Sequence, residues 1–67
     1  MFTVINKNFD AGIEEAFEIV SYEYRKSSGV MIYTDSQGHR NELKIGTYNV
    51  VYVMNSSGST IAKLTAK

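Results

Sequence analysis

Asp10-Ala11-Gly12-Ile13-Glu14-Glu15-Ala16-Phe17-Glu18-Ile19-Val20-Ser21-Tyr22-Glu23-Tyr24-Arg25-Lys26-Ser27-Ser28-Gly29 is the stretch on which the fold turns. At about 100° per residue, Ile13, Ala16, Phe17, Val20 and Tyr24 fall within roughly one third of a helical circumference. Glu14, Glu15, Glu18, Tyr22, Arg25 and Lys26 lie elsewhere on it. Asp10 suits an N-cap, the glutamates sit near the start where the helix dipole favours them, and Arg25 and Lys26 occupy the last turn. Gly29 is placed to be the left-handed residue past the end. A competing signal runs through Val20 to Tyr24, which alternates with period two and is aromatic-rich, as a strand would be. Agreement of start, stripe and stop selects the amphipathic helix.

Outward from this segment the chain reads as strand. Phe2 to Asn6 is a short β-branched run and Val30 to Thr34 another; Asp35-Ser36-Gln37-Gly38 is turn chemistry leading to Glu42 to Ile45. Asn55-Ser56-Ser57-Gly58 joins Tyr48–Met54 to Thr60–Ala66 as a second hairpin. Gly46-Thr47 reads either as a tight turn or as a bulge in one long strand. The order is therefore β-α-β-β-β-β or β-α-β-β-β, an α+β fold with one amphipathic helix packed on a four- or five-stranded, mostly antiparallel sheet. No internal repeat stands out.

Both faces of that sheet are apolar. Tyr48, Val50, Tyr52 and Met54 alternate with Val51 and Val53, and Val30 and Ile32 alternate with Met31 and Tyr33. One helix covers one face. The second, carrying Met31, Tyr33, Tyr48, Tyr52 and Met54, then needs cover from strong curling of the sheet, from a second copy, or from another macromolecule. A homo-oligomer is the expectation.

Length and composition bound the function. Sixty-seven residues make one compact domain, 1–67, which leaves no room for a multidomain enzyme. A chain this short buries only about 60% of its unfolded surface, and with no cysteine and one histidine it has neither disulfide nor structural zinc to help. The start does not read as a signal peptide and no apolar run approaches the ~20 residues of a membrane span. The expected setting is the cytoplasm, away from membranes.

Chemistry is sparse. His39 stands beside Arg40, four residues after Asp35, with no nucleophile at a diagnostic spacing; serines 36, 56, 57 and 59 lie in turn-like segments. No phosphate-binding loop, metal-ligand spacing or paired acidic cluster is present, so the reading is non-catalytic, with no cofactor and no metal. Asn55-Ser56-Ser57 fits the N-glycosylation pattern but, without a secretory signal, means only a turn.

Charge says more. Seven cations and seven anions cancel, yet residues 8–24 hold Asp10, Glu14, Glu15, Glu18 and Glu23 and no cation. Residues 25–67 hold Arg25, Lys26, Arg40, Lys44, Lys63 and Lys67 against Asp35 and Glu42, a balance of +4. The bland reading is a solvated helix face. The functional reading is an acidic face of Glu14, Glu15 and Glu18, with Ile19 and Tyr22 as its apolar centre, docking on a protein partner with a basic surface, nucleic-acid-processing machines included. The alternative is nucleic-acid binding by Tyr33, Tyr48 and Tyr52 with Arg40, Lys44 or Lys63, although four dispersed cations promise little counterion release. No motif names a family. The format, a short chain from Met1 to Lys67 without signal or catalytic constellation, resembles that of small accessory proteins of phages and mobile elements, which commonly bind and occlude a host machine. The leading expectation is thus an inhibitor or modulator acting by surface occlusion.

Overall fold

The segment from Ile13 to Arg25 is a strand. The computed structural model describes residues 1–66, and among them there is no helix, and so none long and apolar enough to cross a membrane. Six strands follow one another: β1 (Phe2–Asn8), β2 (Ile13–Arg25), β3 (Val30–Asp35), β4 (Arg40–Lys44), β5 (Asn49–Met54) and β6 (Thr60–Leu64). They form one antiparallel sheet in the order β4-β3-β2-β1-β5-β6. The α+β expectation and its acidic helix are therefore overturned, and the fold is all-β. The other five expected strands are present with ends moved by up to two residues.

A β-bulge explains why β2 imitates a helix. Along its first half Phe17 and Ile19 lie opposite Val4 and Phe2 on the core face, with Ala16 and Glu18 on the other. Between Ile19 and Ser21 the register against β3 shifts, leaving Val20 extra. Tyr22 and Tyr24 thereby join Phe17 and Ile19 on the core side, opposite Tyr33 and Met31. Core spacings of two, three and two are close enough to a helical stripe to deceive a periodicity reading. Pairing decides the matter, because β2 completes hydrogen-bonded ladders with both β1 and β3, and as a helix it would leave each of them with one edge unpaired and the sheet split in two. Gly12 and Gly29 have φ of 66° and 69° and end the turns flanking β2. The left-handed conformation expected of Gly29 is present, in a hairpin and not at a helix end.

Curling is visible in a single contact. The Tyr24 hydroxyl donates to the Thr65 carbonyl at 2.7 Å. In a flat sheet these residues would stand about three strand spacings apart and roughly 30 Å along the strands. The Cα extents of 28 × 23 × 19 Å agree, since a flat sheet would be only a few ångströms thick in Cα positions. Folded back at the bulge, the sheet wraps a core of Val4, Ile19, Met31, Ile45, Val51, Val53 and Leu64. Phe2 meets Tyr22 edge-to-face at 5.6 Å on its margin.

Residues 45–48 are neither a tight hairpin turn nor a bulge. They link β4, at one edge, to β5, four strand positions away. Five Cα steps reach at most about 18 Å, whereas four strand spacings in a flat sheet would be about 19 Å, so this link requires the sheet to fold back.

The hairpins β3–β4 and β5–β6 share one turn geometry. Asp35 and Asn55 each accept from the amides of the second and fourth following residues, and Gly38 and Gly58 have φ of 85° and 89°. These hairpins flank β1–β2 symmetrically, so β3 and β5 correspond at an offset of twenty residues, from Val30 and Val50 to Gly38 and Gly58.

Candidate functional site

One end of the molecule gathers the β1–β2 turn and the β4–β5 link. Asn8 shapes the first, its Oδ1 accepting from the amides of Asp10 and Ala11 at 3.1 Å each. Asn49 shapes the second: its Oδ1 accepts from Gly46 N–H at 2.7 Å, and its Nδ2 donates to Asn6 Oδ1 at 3.1 Å and to the Lys44 carbonyl at 3.3 Å. Asn6 is itself buried, so the link is anchored to a polar group inside the fold. The Phe9 amide then joins the two loops by donating to the Tyr48 carbonyl at 2.7 Å.

Side chains that the loops do not use stand on this frame. Phe9 is 64% exposed, Tyr48 65% and Ile13 56%. Phe9 divides two shallow grooves, one of about 330 Å³ walled by Gly46, Thr47, Val50 and Thr65, the other of about 260 Å³ walled by Lys7, Gly12, Ile13 and Glu14. Asp10 and Glu15 add negative charge nearby, while Glu14 lies 3.6 Å from Lys7. The pole is an apolar knob with an acidic margin.

The residues expected at a helical face are dispersed by the strand. Glu14 and Glu18 lie on the outer face of the sheet, opposite Lys7 and Thr3, and Glu15 lies on the inner face opposite Asn6. Ile19 is wholly buried in the core, and Tyr22 is half-buried against Phe2. Ile19 therefore cannot be the centre of an exposed contact. The expected second sheet face is not one surface either. Met31 is in the core, Tyr33 packs on Phe17 at 5.2 Å, and Tyr48 is at the pole. Only Tyr52 and Met54 share the outer face. Lys7 and Lys63 bring their ammonium groups 5.5 and 5.9 Å from the centre of the Tyr52 ring. Lys67, counted in the charge balance, lies outside the described residues.

His39 sits on the β3–β4 turn, 74% exposed, with Nδ1 3.9 Å from Asp35 Oδ2. The Asp35 carboxylate is occupied by the turn, accepting from the amides of His39 and Gln37 and from the Asn41 side chain. These bonds, the His39 amide foremost, hold its pKa below the usual carboxylate value. Burial, aided by Asp35 and Glu15, raises the Tyr33 phenol. Among the described residues no three His, Cys, Asp or Glu side chains converge as metal ligands would.

Sequence reasoning missed Phe9 and assigned Ile13 to a helical stripe. A signal was present: Phe9 immediately precedes the turn residues Asp10, Ala11 and Gly12, where a large apolar side chain serves no local purpose. Comparison with known protein families, curated proteins and solved structures finds no match to the chain.

Proposed function

We propose that the protein is a non-catalytic protein-binding module that engages its partner through the pole formed by Phe9, Ile13 and Tyr48. One observation carries this reading: three large apolar side chains, each more than half exposed, are collected at one end on turns fixed by Asn8 and Asn49. Single exposed apolar residues need no explanation, but three on adjoining loops resemble the aromatic anchors of an interface. Pre-shaped turns reduce the ordering cost of binding. Asp10, Glu14 and Glu15 beside the knob favour a partner whose receiving pocket is rimmed by Lys or Arg, and occlusion of that pocket is how such a module would modulate it.

The test is a Phe9→Ser/Tyr48→Ser double variant. Its thermal melt should stay close to that of the parent, because neither side chain packs in the core. Quantitative affinity capture should show the partner lost from the variant alone. A folded variant that retains every partner refutes the pole.

A further inference from the structure

The outer face of β2, β1, β5 and β6 carries opposite charges on opposite margins. In one row across the strands stand Lys63, Tyr52, Ile5 and Ala16; the next holds Met54, Thr3 and Glu18, and the third holds Val50, Lys7 and Glu14. Ile5, Val50, Tyr52 and Met54 are only half-buried there, with no second layer over them. Lys63, on β6, has no carboxylate partner among the described residues and rests over the Tyr52 ring. Glu18, on β2, has no hydrogen-bond or ion-pair partner among the described residues. Three strand spacings, about 14 Å, keep the two from meeting within one chain.

A twofold axis parallel to the strands, passing between β1 and β5, brings them together. It lays β6 of one copy over β2 of the other, so that Lys63 falls above Ala16 between Glu14 and Glu18 of the second copy. The same operation sets Tyr52 against Ile5 and Met54 against Thr3. We infer that this face is a self-complementary dimer interface, with a second copy of the chain as its occupant. An isologous contact requires one patch to complement itself, and charges of opposite sign at opposite margins meet that requirement. The pole does not: two copies joined there would oppose Asp10, Glu14 and Glu15 to themselves. Four strands by six residues give roughly 19 × 20 Å per copy, about half the area of a standard interface, so the dimer belongs to the weak, transient class.

Sedimentation equilibrium up to about 1 mM tests the inference, using the parent chain, Lys63→Glu, Glu18→Lys and an equimolar mixture of the two variants. The parent should show concentration-dependent dimerisation. Each variant alone should associate about tenfold more weakly, since the contact occurs twice and changes sign. The mixture should recover parental association, because both contacts in the heterodimer again join opposite charges. A parent that stays monomeric throughout, or a mixture no stronger than its components, overturns the inference. Phe9→Ser should leave self-association unchanged, which separates this face from the pole; loss of dimerisation in that variant would also overturn it.

Discussion

Asn49→Ala should be the most damaging single substitution outside the apolar core. It removes three hydrogen bonds, to Gly46, Asn6 and Lys44, each with a net value of about 0.5–1.5 kcal/mol. The loss is not uniform. The Lys44 carbonyl is at the surface and regains water, but Asn6 is only 7% exposed, and leaving its Oδ1 unpaired costs about 1–3 kcal/mol by itself. The total comes to about 2–4 kcal/mol. A domain of this length has roughly 3–10 kcal/mol in all, so the variant loses a large share of its stability, and its Tm should fall by more than about 10 °C. Urea denaturation read by circular dichroism measures the loss. Asn49→Asp retains the acceptor for Gly46 but turns a carboxylate oxygen toward Asn6 Oδ1 and the Lys44 carbonyl, both acceptors, so it should be no milder than Asn49→Ala. A double-mutant cycle with Asn6→Ala isolates the buried bond and should give a coupling of about 1 kcal/mol. A cost below about 1 kcal/mol for Asn49→Ala, or additivity in the cycle, would refute the view that this side chain anchors the β4–β5 link.

Deleting Val20 should abolish the bulge yet keep Tyr22 and Tyr24 on the core face, because Phe17, Ile19, Tyr22 and Tyr24 then follow at a spacing of two; what is lost is the fold-back that carries Tyr24 to Thr65, so the deletion should cost more than Val20→Ala, itself worth less than about 1 kcal/mol in the same denaturation assay. Gly29→Ala should destabilise more than Gly12→Ala. Both need positive φ, a penalty of about 1–2 kcal/mol, but only at Gly29 would the new Cβ meet a neighbour, the Ile45 carbonyl at 3.2 Å; equal losses would contradict that close approach. The lowered pKa of Asp35 makes its contribution fully present above the unfolded value of about 3.9 and lost as pH falls through the lower folded one. Amide exchange at Gln37 and His39 should therefore accelerate in strong acid, and Asp35→Asn, which copies the Asn55 turn, should remove that acceleration. An unchanged acid response in Asp35→Asn would show that another group is responsible.

The parts legible in the chain were those whose causes are local. Asp35 to Gly38 and Asn55 to Gly58 announce hairpin turns because an Asx side chain and a glycine at the right spacing satisfy the turn by themselves. β3 and β5 alternate cleanly, and their inward residues Met31, Val51 and Val53 are core. β2 was misread because its bulge replaces period two with a nearly helical spacing, and no residue within β2 reveals that β1 and β3 wait on either side. Among the site residues, Tyr48, Glu14 and Glu15 were singled out for other surfaces. Phe9 was not, because only the hydrogen bond to Tyr48 makes the two loops one place.

By itself the sequence determined where the chain turns, which strands are apolar, that its charge is divided along its length, and that the core would be small. Those properties depend on side chains a few residues apart. Tertiary structure decided that Ile13–Arg25 is extended, that the sheet folds back at Val20 until Tyr24 reaches Thr65, and that Phe9, Ile13 and Tyr48 share one end. The reason is energetic: residues 13–25 have nearly balanced local preferences, so ladders with β1 and β3, their neighbours across two short turns, outweigh the helical pattern, and every surface of the molecule follows from that outcome.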